Sequence, residues 1–108
     1  MNEAMALAAF ASISSKTRLR IFKCLVEAGS DGLAAGAIAT AVGATPSRTS
    51  FHLANMSEAG LVSSSRQARQ ITYRLDFKSV GALMRYMLED CCKNNETVRA
   101  CCVAKDRC

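Results

Sequence analysis

The run Gly43-Ala-Thr-Pro46 constrains this chain more than any other stretch, because it stops one helix and starts the next. Glycine ends a helix readily, threonine caps the following one, and proline fits its first position, where no N–H is needed. Before the break, residues 33–42 predict a short helix with Leu33, Ile38 and Val42 on its apolar side. After it, residues 46–59 predict a second helix, with Phe51, Leu53 and Met56 as inward candidates and Gly60 as its stop. Two short helices joined this tightly form a helix-turn-helix.

A strand signal follows at Leu61-Val62, then a polar tip, Arg66-Gln-Ala-Arg69, and then Ile71, Tyr73 and Leu75 alternating with Thr72 and Arg74. Period-two alternation is what a half-buried strand requires. The tip lacks the glycine that usually marks a hairpin turn. The fold class implied is mainly α with a β-hairpin, a winged helix-turn-helix.

The flanks are helical. Residues 3–13 are alanine-rich and apolar; Ser14-Ser15 can cap a second helix that ends near Gly29, with Leu19, Phe22, Leu25 and Val26 at helical spacing. Cys24 within it reads as a small buried hydrophobe. Residues 77–90 predict the last helix, with Val80, Leu83, Met84, Met87 and Leu88 on one stripe. A chain of 108 residues makes one domain.

No stretch reaches transmembrane length. Met5-Ala-Leu-Ala-Ala-Phe-Ala11 mimics a secretory leader only faintly, since Glu3 precedes it and no Lys or Arg does. The expectation is a cytoplasmic chain with reduced thiols.

Three stretches carry a family resemblance: Ser15-Lys-Thr-Arg-Leu-Arg-Ile-Phe22, Phe51-His-Leu-Ala-Asn-Met-Ser-Glu-Ala-Gly-Leu-Val62, and Arg66…Arg69…Tyr73-Arg-Leu75. Together they resemble the ArsR/SmtB metalloregulatory repressors over roughly residues 5–92. Lys16 departs from the pattern, standing where the family usually has proline. The resemblance implies a homodimer that pairs its first and last helices.

The net charge of +5 suits an acidic partner. Ser47, Arg48, Thr49, Ser50 and His52 lie in the N-terminal half of the second helix of the pair. Short hydrogen-bonding side chains with an arginine near the helix start suit major-groove reading of double-stranded operator DNA. Alone, these residues also describe a solvated, well-capped face; the hairpin and the resemblance favour DNA. Arg66 and Arg69 at the tip suit phosphates or a minor groove. Residues 61–78 hold four basic side chains and one acidic.

Five of the six cysteines fall in the last 18 residues: Cys91, Cys92, Cys101, Cys102 and Cys108. In a reducing compartment such a cluster points to metal, metalloid or redox chemistry. Family sites built from a Cys-x-Cys on the third helix, or from histidines on the last, are absent here. What remains resembles the arsenic-responsive members, with Cys91 and Cys92 matching their Cys-Cys pair and Cys101 or Cys102 as the third ligand. Cys108 is a further candidate.

The expected function is a repressor released by As(III), or Sb(III), bound to these thiols. Two alternatives use the same fold: a sensor of trivalent organoarsenicals, or a thiol-redox or persulfide sensor. Residues 1–92 would form the DNA-binding and dimerisation domain, and 93–108 a cysteine-rich tail completing the metalloid site. No Cys-x-x-Cys or phosphate-cradling loop appears, so no enzyme is expected.

Overall fold

The computed structural model describes residues 1–104, Asp106 and Cys108. The elements run α1 (Glu3–Ile13), α2 (Lys16–Ala28), β1 (Leu33–Ala34), α3 (Ala35–Val42), α4 (Pro46–Glu58), β2 (Val62–Gln67), β3 (Gln70–Leu75), α5 (Phe77–Arg85), a π-helical segment (Tyr86–Cys91) and α6 (Glu96–Val103).

Side-chain caps set most helix starts. Asn2, Ser15, Thr45 and Asp76 each accept a bond from a first-turn N–H, the donors being Met5, Arg18, Arg48 and Ser79. These caps satisfy donors that a helix start otherwise leaves without a partner. Gly43, in the left-handed region at φ 67°, ends α3.

The wing is an antiparallel hairpin with Val62 opposite Leu75 and Gln67 opposite Gln70. Ala68 turns it at φ 57°, a conformation that ordinarily selects glycine. Residues 33 and 34, expected to begin a helix, instead form β1 and pair with Tyr73 and Thr72, giving a sheet of order β1-β3-β2. The reason lies one residue upstream. Gly32 sits at φ 68°, where a Cβ would strike the Tyr73 carbonyl, so the chain enters extended beside β3.

The core joins Ile21 and Leu25 of α2, Ile38 of α3, Leu53 and Met56 of α4, Leu61, Leu75 and Leu83 of α5. Phe51, expected inward, is 67% exposed. Thr49, Leu53 and Met56 recur at helical spacing on the inner face, and residue 51 falls on the opposite side. Leu19 and Val26 are likewise exposed on α2.

The last helix also differs from expectation. Regular α-helix stops at Arg85, and the chain continues as π-helix to Cys91. Lys93 and Asn94 then take φ of 51° and 55° and reverse the chain. Asn95 Oδ1 accepts from the N–H groups of Thr97 and Val98, which starts α6. Within the cysteine-rich tail expected at 93–108, residues 96–103 thus form a helix, although α6 buries none of its residues. Among the described residues, no helix is long and apolar enough to cross a membrane.

Candidate nucleic-acid interface and thiol site

The cap at Thr45 fixes the start of α4, and Ser47, Arg48 and Ser50 project from its exposed side. Thr49 and His52 do not. Thr49 was expected on the exposed face, and His52 either there or packing α4; both are buried, at 1% and 9% exposure. Residues 49, 52, 53 and 56 share the face turned to the core.

His52 has a structural task. An Arg18 Nη1 N–H donates to its Nδ1 at 3.0 Å, so the neutral ring carries its hydrogen on Nε2. Arg18 Nε donates to the Ser12 carbonyl, and Ser12 Oγ donates to Asn55 Oδ1 at 2.8 Å. One polar network therefore ties α1, α2 and α4 together. The resemblance carried Arg18 within its motif, but the sequence held no sign of its partners.

Burial, then the nearby Arg18 and Arg48 charges, push the His52 pKa below its ordinary value. The unfolded chain therefore takes up this proton first. His52 contributes full stability above its unfolded pKa of about 6.5, and that contribution is lost as pH falls through the lowered native value. Urea midpoints measured between about pH 7.5 and 5.5 should fall with acidity. The fall should be shallower in His52→Gln, which keeps an acceptor for Arg18.

Thr49 Oγ1 is buried and has no hydrogen-bond partner among the described residues. An unsatisfied buried hydroxyl is costly, so Thr49→Val should stabilise the fold by about 1 kcal/mol. DNA affinity should be unchanged. A clear loss of affinity in a stable Thr49→Val protein would return this side chain to the DNA surface.

On the wing, Arg66 and Arg69 are exposed. Arg74 is committed elsewhere: it donates to the Ser30 carbonyl at 2.9 Å and to Ser65 Oγ at 2.7 Å, bracing the wing against the turn after α2.

The thiols fall into separate groups. Cys24 is half-buried, and its pKa is raised by burial and then by Glu27, which keeps it a neutral thiol. Cys91 is exposed and Cys92 half-buried, both free, where the π segment ends. Tyr86, one turn earlier, has its pKa raised by desolvation and then by Cys91, Glu3 and Asp90.

On α6, Cys102 is exposed and free, whereas the sulfurs of Cys101 and Cys108 are paired across a Cα separation of 4.3 Å. Cys101, Cys102, Thr97 and Val98 line a largely apolar cleft of about 320 Å³. No three Cys, His, Asp or Glu side chains converge as a metal site among the described residues. The expected third ligand is therefore not beside Cys91 and Cys92 in this conformation.

A family model described as a helix-turn-helix domain matches residues 13–64. The HTH-type transcriptional regulator YgaV of Escherichia coli (strain K12) is 37% identical over 79 residues, covering 73% of this chain and 78% of that protein. An ArsR-like transcriptional regulator from Rhodococcus sp. RHA1 superposes with a TM-score of 0.74 at 25% identity, over 90% of this chain and 89% of the other.

The chain belongs to the ArsR/SmtB family.

Two further solved structures fit that membership. One is the homodimeric winged helix-turn-helix DNA-binding domain of a possible ArsR-family regulator from Mycobacterium bovis (TM-score 0.63, 26% identity, 81% of this chain and 84% of the other). The other is the AntR antimony-specific transcriptional repressor (TM-score 0.62, 25% identity, 89% and 82%). As an ArsR/SmtB protein, the chain is a DNA-binding transcriptional regulator and not an enzyme.

Proposed function

We propose that this ArsR/SmtB protein is an arsenite-responsive repressor, which holds its operator as a homodimer and lets go when As(III) or Sb(III) binds its thiols. The observation that carries the reading is the free, accessible Cys91-Cys92 pair at the end of the π segment, continuous with core-packed α5. Soft metalloids prefer sulfur to oxygen or imidazole. The structural likeness to AntR, an antimony-specific repressor, supports the metalloid class.

Arsenous acid is neutral and binds three thiols with release of three waters, each thiol hydrogen leaving with a hydroxyl. Preformed thiolates are therefore unnecessary. With the thiols reduced, Cys101 and Cys102 on α6 are both candidates for the third ligand. Closing the site moves α6 about the Lys93–Asn95 reversal, so residues 93–108 act as a tail on the domain formed by 1–92. Bringing α6 to the π segment shifts α5, and with it the angle between the two DNA-reading heads.

Ser47, Arg48 and Ser50 read the major groove, and Arg66 and Arg69 hold phosphates or the minor groove. Leu7 and Phe10 on α1, and Met84 on α5, are apolar side chains that a second copy would cover.

The test is fluorescence anisotropy under reductant, with a duplex from upstream of this protein's own gene. Arsenite, antimonite and methylarsenite are titrated in turn. Release by arsenite supports the reading. Release by methylarsenite alone, which needs two thiols, moves the assignment to an organoarsenical sensor. Indifference to all three overturns the metalloid assignment.

The closeness of Cys101 and Cys108, whose Cα atoms lie 4.3 Å apart, favours one second reading, a thiol-redox sensor in which two cysteines bridge. Its signature is release of DNA by oxidant or polysulfide, with loss of two hydrogens from the protein mass and reversal by reductant.

A further inference from the structure

Lys16, Thr17 and Arg20 of α2 face Thr45 and Arg48 of α4 across the Gly43-Ala44 turn, lining a cleft of about 250 Å³. Lys16, Arg20 and Arg48 are exposed, and among the described residues none of them forms a salt bridge. The local sequence has no charge to neutralise them. Residues 4–26 contain Lys16, Arg18, Arg20 and Lys23 and no Asp or Glu, and residues 32–57 contain no Asp or Glu either. Arg18 is spent internally on Ser12 and His52, so it does not join the cleft.

A positive cleft without carboxylates has no structural use for its charge. Bringing three cations together costs stability through repulsion and is offset only when an anion is present. The cleft adjoins the N-terminal end of α4, the end that enters a major groove in this class of fold. A duplex seated there would pass its backbone along the mouth of the cleft.

We infer that Lys16 and Arg20 form a second DNA-backbone contact, in which α2 grips a phosphodiester flanking the groove read by α4. The inference rests on the DNA-binding reading above and extends the footprint beyond α4 and the wing. Lys16 is the residue that departs from the family's usual proline, so this chain adds a cation where the pattern supplies none. The contact is to phosphate and carries no base information; it adds affinity for any sequence.

The test compares wild type, Lys16→Ala, Arg20→Ala and the double variant. Anisotropy follows binding to the upstream duplex and to a scrambled duplex of equal length, over a chloride series. Both side chains are exposed, so folding should be unaffected, which circular dichroism checks. Each residue occurs twice in the bound homodimer, so each single substitution should weaken both duplexes by the same factor and lower the salt slope by about 2, and the double variant by about 4. Unchanged slopes, or a loss confined to the upstream duplex, overturn the inference while wild-type binding keeps the DNA reading intact. A wild type that binds neither duplex removes both. Replacing chloride by inorganic phosphate at fixed ionic strength adds one more arm. If phosphate binds wild type and not the double variant yet displaces no DNA, the cleft is a free-phosphate site and the assignment falls; displacement that the double variant escapes supports the contact.

Discussion

Cys91→Ser and Cys92→Ser proteins should stay on the operator at arsenite concentrations that release wild type. Cys91 is exposed and Cys92 half-buried, and neither belongs to the core, so the change costs little stability. Operator affinity without arsenite should match wild type, because no DNA-facing residue lies near the pair. What changes is the ligand set: serine offers a hard oxygen to a soft metalloid and does not replace the thiol. In wild type, an allosteric coupling of about 1–3 kcal/mol weakens DNA binding roughly 5- to 150-fold, and either variant should lose all of it. One of Cys101→Ser and Cys102→Ser should do the same, since one of these thiols completes the site under reductant, whereas Cys108→Ser should retain induction. Anisotropy titrations on the six proteins decide this. A Cys91→Ser protein that still releases DNA with arsenite would sink the model.

The elements that sequence foretells best are those fixed by local chemistry. Ser15 and Thr45 announce helix starts because a cap needs only its own first turn, and each makes the expected bond. The Val62–Leu75 hairpin is legible from the alternation of Ile71, Tyr73 and Leu75 with polar residues, although burial does not follow it, since Leu75 is buried and Ile71 exposed. What escaped depends on distant partners. Leu33-Ala34 looks helical by composition and becomes a strand because β3, about forty residues on, offers a free edge. Thr49 and His52 read as groove-facing by residue type, but the helix period turns them inward, and Arg18 gives His52 a partner. Phe51 erred the other way, placed by its apolar character against its position.

The thiol site was legible as a ligand inventory and not as geometry. The count and crowding of cysteines are plain in the sequence, and the Cys91-Cys92 pair is accessible as its position implied. The partition between a free pair and an α6 group follows from the Lys93-Asn94 reversal and the Asn95 cap, two local features set within a polar stretch that reads as a loop. The π segment has no composition signature, yet it lies where helix, thiols and Tyr86 meet. Such insertions occur often at functional sites, where they let a helix change register at small cost.

Placing a charge on the apolar faces of α1 and α5 should separate the heads and nearly abolish operator binding. Helix α1 is apolar on almost every side, and a helix of that kind is normally covered all round. Its inner side is covered, with Ala6 and Ala9 buried, yet Leu7 remains 60% exposed and Met84 on α5 55% exposed. Leu7→Glu and Met84→Glu should leave the monomer fold intact, because neither side chain belongs to its core. In a dimer each would bury an unpaired carboxylate, which a modest interface does not tolerate. Sedimentation velocity should then show monomers. Two linked heads bind a two-half-site operator with an avidity of about 10²–10⁴ over one head, and that factor is what the variants lose. Binding to a single half-site should be unchanged, which separates loss of linkage from damage to α4. A Met84→Glu protein that still sediments as a dimer would place the two-fold axis elsewhere, and α6 could then no longer act on the angle between the heads through α5.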